Sequence, residues 1–149
     1  MESKYRLRNL QKEDFDRGYI QLLSQLTTTG QITKEDFNAQ FEKISKNRDY
    51  IIRVVEDTEK KLIVATGTLL IEHKFIHGCA CMGHIEDIVV NEEYRGKNLG
   101  KKIIDDLIQI SKEKGSYKTI LCCDDKVVPF YRKCGLEVKE KEMVVYHNK

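Results

Sequence analysis

One proline in 149 residues and no low-complexity stretch leave nothing that reads as a linker or a disordered tail. No apolar run approaches the roughly 20 residues needed to cross a bilayer, and Met1–Arg6 lacks the apolar segment of a secretory signal. These absences predict a cytoplasmic chain with no membrane partner. Charge of one sign is missing too. Lysines and arginines are interspersed with acids to a net charge of +2, which gives no electrostatic footprint for nucleic acid, so no such partner is expected.

Cysteines are present, but without the pattern of a metal site. They stand at 79, 81, 122, 123 and 134, and neither Cys79-x-Cys81 nor Cys122-Cys123 has the spacing of zinc ligands. His77 and His84, seven apart, suggest no metal either. The expectation is five small, reduced, structural cysteines and no metal. No histidine lies near Cys122 or Cys123 in sequence to activate either as a nucleophile.

What remains is one globular domain over residues 1–149, with 40% hydrophobic residues for a core and 34% charged residues for its surface. Tyr5–Leu7 reads as a short strand and residues 12–26 as an amphipathic helix ended at Thr27–Gly30. Thr33 with Asp36 marks the start of a second helix carrying Phe37, Phe41 and Ile44. Tyr50–Val55 and Leu62–Ile71 read as a hairpin, and Cys79–Val90 as a third long strand. A helix is expected from Asn98 to Lys114, with Leu99, Ile103, Ile104, Leu107, Ile108 and Ile110 inward and Gly115 as its stop. Thr119–Cys122 is an expected strand, Val127–Lys133 a short helix and Glu137–Tyr146 a final strand. This order predicts an α/β (α+β) fold, a mixed central sheet flanked by helices.

Chemistry concentrates after the third strand. Arg95-Gly96-Lys97-Asn98-Leu99-Gly100-Lys101 is a short basic loop opening into a helix. The first amides of a helix lack internal partners, and its dipole adds roughly half a positive charge there, so the loop suits phosphates. Gly96 and Gly100 allow close backbone approach, and Asn98 tolerates a positive φ. The Gly-x-x-x-x-Gly-Lys-Ser/Thr pattern of a P-loop is absent. The mid-strand pair Glu86-Asp87 is the other unusual feature, although strand alternation sends the two side chains to opposite faces unless a bulge intervenes.

Arg95-x-x-Asn98-x-Gly100 resembles the Gln/Arg-x-x-Gly-x-Gly/Ala signature of the GCN5-related N-acetyltransferase (GNAT) superfamily, with Asn98 in place of one glycine. Further segments resemble the glucosamine 6-phosphate N-acetyltransferase family within it: Leu26–Thr33, Gly83–Val90, Gly115–Lys118 and Phe130–Leu136. The resemblance spans nearly the whole chain. It implies acetyl-CoA as cosubstrate, an amino-sugar phosphate as acceptor in the route to UDP-N-acetylglucosamine, and a homodimer. Carried onto this sequence, it implies that Ile88, Val89 and Val90 hold the pantetheine and Arg95 to Lys101 (Arg95, Gly96, Lys97, Asn98, Leu99, Gly100, Lys101) the pyrophosphate. Thr27, Lys74, Phe75, Ile76, His77, Tyr117 and Lys118 would contact the sugar phosphate, Tyr117 and Lys118 from either subunit. Glu86 and Asp87 would face the amine, and Tyr131 would contact the coenzyme and protonate the leaving thiolate. Three positions depart from the family pattern: Cys122 stands where an acid is usual, Val127 where an asparagine is frequent, and Tyr146 where an arginine pairs with the phosphate.

Overall fold

The computed structural model describes residues 4–147; residues 1–3 and 148–149, which the single-domain expectation includes, lie outside the described residues. Five strands form one sheet in chain order: β1 (Tyr5–Asn9), β2 (Tyr50–Asp57), β3 (Leu62–His73), β4 (Cys81–Val90) and β5 (Ser116–Ile120). The first four pair antiparallel, and β5 lies parallel to β4. The sheet is therefore mixed, as the element order predicts.

Both faces are covered. The core that contains Val55 includes Leu99, Ile103, Ile104 and Leu107 of α4 (Leu99–Glu113). The core that contains Val54 includes Tyr19 and Leu22 of α1 (Tyr19–Leu23) and Phe37 of α2 (Lys34–Ser45). Adjacent strand residues point to opposite faces, so these two valines feed two cores. β3 is buried along most of its length, as a central strand covered on both sides must be. The inward residues of α4 recur at three- and four-residue spacing, and each buried side chain contributes roughly 1.5–3 kcal/mol. Thr33 caps α2 as expected: its hydroxyl accepts from the Asp36 amide at 3.1 Å, and the Asp36 carboxylate accepts from the Thr33 amide at 3.0 Å.

Four expectations need correction. The helix expected over 12–26 is a 3₁₀ turn, Lys12–Arg17, followed by α1, because Gly18 takes φ +82° and breaks the continuity. The third strand starts at Cys81, since His77, Gly78 and Cys79 take φ of +52°, +69° and +60° in a single left-handed helical turn, α3 (Ile76–Cys79). β5 occupies Ser116–Ile120 because Gly115, at φ +90°, turns the chain straight into it, so Cys122 lies past the strand. Finally, residues 137–146 form no strand: no neighbouring strand among the described residues pairs with them, and an alternating pattern alone makes no ladder.

Candidate active site

The site begins where two strands part. β4 and β5 pair through Cys81↔Ser116, Gly83↔Thr119 and His84↔Ile120, and the pairing stops there. β4 continues to Val90, where Val89 and Val90 pair with Thr66 and Ala65 on the β3 side only. Among the described residues no strand pairs with the other side of the strand's end, so its backbone groups are offered to a ligand. A cleft of ≈1290 Å³ opens in the gap, with Glu86–Val90 on one wall and Leu121–Asp124 on the other.

The basic loop closes one end. Gly96 and Asn98 take φ of +83° and +65°, the left-handed values that a glycine and an asparagine tolerate best. The first helical bond of α4 runs from the Lys102 amide to the Asn98 carbonyl at 3.1 Å, and the Asn98 side chain makes no cap. The amides of Leu99, Gly100 and Lys101 therefore have no partner within the helix, at the positive end of a 15-residue dipole. A Cβ on Gly100 would sit 3.1 Å from Phe130 Cζ and 3.5 Å from Val90 Cγ2, so a side chain there would crowd α5 (Val128–Lys133) and the strand end. Arg95, Gly96, Asn98, Leu99 and Gly100 line the cleft. The exposed Lys97 does not, and Lys101 is drawn along its own helix to Asp105 at 2.6 Å.

Beyond the loop the two carboxylates come together through a bulge. The register slips between Thr66 and Thr68 of β3, giving β4 one extra residue, and Asp87 takes φ +52°. Glu86 and Asp87 are consequently both exposed and both line the cleft. Asp87 also borders a smaller cavity of ≈460 Å³ beneath α2, shared with Tyr50 and Thr68. The half-buried Tyr131 lines the same cleft; its phenol is pushed up by burial and then by Cys123 and Cys134, so it is a neutral donor at pH 7. Thr27 reaches the same cleft from the segment after α1, which the Gln25 side chain fastens by accepting from the Glu92 amide at 2.9 Å.

The remaining expected sugar-phosphate contacts gather elsewhere. Lys74, Phe75, Ile76 and His77 sit at the β3–β4 turn, with the His77 ring 4.4 Å from that of Tyr117 and Lys118 beside it. Lys74 is paired with Glu72 at 2.7 Å, and Glu72 also bonds His84. None of these turn residues lines the cleft of the same chain. Glu86 lies five residues along the strand from Cys81, roughly 17 Å at 3.4 Å per residue.

Several cleft residues escaped the sequence reading. Glu142 enters from the C-terminal segment, and its charge, after burial, helps push the Cys122 thiol up. No local signal could have located it, because its position depends on the path of an irregular segment. Cys79, Cys122 and Cys123 are exposed, not the buried structural residues expected.

Residues 5–136 match the model of the acetyltransferase (GNAT) family. The chain belongs to that family. Among curated relatives of this GNAT chain, glucosamine 6-phosphate N-acetyltransferase of Arabidopsis thaliana is 43% identical over 147 residues, covering 98% of this chain and 99% of the relative. Glucosamine 6-phosphate N-acetyltransferase 1 of Dictyostelium discoideum is 47% identical, covering 93% and 88%. The crystal structure of the Arabidopsis thaliana enzyme superposes on the GNAT chain with a TM-score of 0.94 at 42% identity, covering 99% of this chain and all of that one.

Proposed function

We propose that the protein transfers the acetyl group of acetyl-CoA to the amine of glucosamine 6-phosphate, forming N-acetylglucosamine 6-phosphate. The observation that carries this reading is the parting of β4 and β5 beside a helix start whose first amides lack partners within the helix. It provides a strand edge for a pantetheine and an anion site for a pyrophosphate. The relatives named above supply the acceptor.

Acetyl-CoA supplies an activated acyl carbon. The Arg95–Gly100 loop holds the phosphates, and the open edge of Ile88–Val90 aligns the arm by backbone pairing. Glu86 and Asp87 attract the acceptor's ammonium and accept or relay its proton, because only the neutral amine attacks. A backbone amide near Ile88 faces the charge that develops on the carbonyl oxygen. Tyr131 donates a hydrogen bond to the departing sulfur. Lys74–His77, Tyr117 and Lys118 complete the sugar-phosphate site from a second subunit, since they lie outside the cleft of their own chain.

One domain, a homodimer and a cytoplasmic location belong to the same proposal. No helix among the described residues is long and apolar enough to cross a membrane. A thiol-release assay with acetyl-CoA and glucosamine 6-phosphate, glucosamine or a polyamine tests the reading. Turnover should require the phosphate ester. Equal rates on unphosphorylated glucosamine, or preference for the polyamine, would assign the site to a different small amine.

A further inference from the structure

The wall opposite Glu86 is built from two consecutive thiols. Cys122 and Cys123 follow the last residues of β5, both are exposed, and both line the cleft in which the reactive end of the coenzyme is placed above. They are the only two of the chain's five cysteines that do so. Their surroundings differ. Cys123 shares the cleft with Tyr131, the hydroxyl assigned to the coenzyme sulfur, and the two are electrostatically coupled, whereas Cys122 feels the charge of the Glu142 carboxylate, which lines the same cleft. Desolvation by the cleft walls comes first, with nearby carboxylates next, in pushing both thiols up. They are protonated at rest, and thiols of this kind are strong nucleophiles once deprotonated but present little thiolate to a passing oxidant. A disulfide bound in the cleft meets them at high effective concentration instead.

We propose that Cys122 and Cys123 are a redox site for coenzyme A disulfides, in which Cys123 captures the bound disulfide and Cys122 resolves it. In the first step the Cys123 sulfur attacks a coenzyme A disulfide; the sulfur–sulfur bond breaks, one coenzyme A leaves as thiolate and takes the Cys123 proton, and a Cys123–coenzyme A mixed disulfide remains. In the second step Cys122 attacks the Cys123 sulfur with its proton passing to Glu142 and then to the departing thiolate. The products are a Cys122–Cys123 disulfide and a second molecule of coenzyme A thiol. The protein loses two protons and two electrons, and the coenzyme disulfide gains them. Consecutive α-carbons across a trans peptide lie about 3.8 Å apart, short of the roughly 4.4–6.8 Å that disulfides prefer. The ring is strained and easily reduced, so the oxidised, blocked state reverts when a thiol reductant is available.

The proposal rests on the coenzyme reading of the cleft, and the experiment separates the two. The full-length protein is incubated with coenzyme A disulfide or with glutathione disulfide, then examined by intact and peptide mass spectrometry alongside acetyl-CoA binding by calorimetry. Coenzyme A disulfide should convert the Cys122–Cys123 peptide to its internal disulfide about tenfold or more faster than glutathione disulfide does, because binding supplies the proximity. Acetyl-CoA should protect, and dithiothreitol should restore transfer activity. In Cys122→Ser the reaction should halt at a coenzyme adduct on Cys123, and in Cys123→Ser the coenzyme disulfide should lose its advantage. Adducts that favour Cys79 or Cys134, or equal rates for the two disulfides, would overturn the proposal. If acetyl-CoA binds while both thiols survive, the redox site falls and the coenzyme reading stands. If acetyl-CoA does not bind, both fall.

Discussion

The Asp14 carboxylate has no exposed surface, yet it stays charged. Both Arg8 terminal nitrogens donate to it at 2.8 Å, the Gln11 amide donates at 2.8 Å, and Arg17 donates at 3.0 Å. Burial alone would push its pKa up, but these donors outweigh that and hold it below the ordinary carboxylate range. Arg8 also bonds Glu56, so one guanidinium fastens β1, the 3₁₀ turn and β2 ahead of the Thr27 segment. Because the folded pKa is depressed, this stability is full above the unfolded value of about 3.9 and is lost as pH falls through the folded value. Asp14→Asn should cost about 3 kcal/mol, the usual penalty for breaking a buried ion pair, read as a lower urea midpoint at pH 7. The same variant should lose less of its remaining stability between pH 5 and 3 than the parent does. In the cleft, Tyr131→Phe keeps the ring and removes the donor. Its kcat should fall about a hundredfold with the KM for acetyl-CoA nearly unchanged, and an unchanged kcat would remove Tyr131 from the chemistry.

Elements set the geometry that these residues use. The bulge that turns both Glu86 and Asp87 into the cleft sits opposite Gly67, where a Cβ would lie 2.4 Å from Ile88 Cδ1, 2.7 Å from Ile103 Cγ2 and 2.9 Å from Leu107 Cδ1. Gly67→Ala therefore pushes on both β4 and α4, the two elements that flank the proposed coenzyme site. It should destabilise by about 1–3 kcal/mol and raise the KM for acetyl-CoA more than that for the acceptor, measured by steady-state kinetics and chemical melts. Nothing around Gly67 in the sequence signals this role, since the clash involves residues 21 to 40 positions away in the chain. The basic loop at 95–101 is the opposite case. Its glycines, Asn98 and the apolar stripe of α4 are local features, and all could be read directly. The Thr33–Asp36 cap was equally legible, because a capping box closes within one turn. The break at Gly18 was not, because the apolar spacing runs through it. The mid-strand pair Glu86-Asp87 stood out from residue pattern, whereas Tyr131 was singled out only through the resemblance to a known family; residue pattern alone left it as a packed aromatic.

At the scale of the molecule, apolar surface is out of place. Phe75 is 93% exposed and Met143 is 94% exposed, and Ile76, Val138, Val144 and Val145 are also largely open. β5 is an edge strand, and the segment that follows α5 joins no sheet among the described residues. An open edge and an extended apolar segment on one chain are complementary across two copies, which supports the proposed homodimer. The same pairing would bring the Lys74–His77 turn, Tyr117 and Lys118 of one subunit to the carboxylates of the other. Light scattering should then give a dimer for the intact chain and a monomer after removal of residues 137–149. Complementation gives the sharper test. Tyr131→Phe damages the coenzyme half of a shared site, and Lys118→Ala damages the sugar half. If each site draws Tyr131 from one chain and Lys118 from the other, a mixed dimer contains one site with both lesions and one with neither. Co-refolding equal amounts of the two inactive variants should make half the dimers mixed and restore about a quarter of the parental activity. If both residues serve the cleft of their own chain, every site keeps one lesion and mixing recovers nothing.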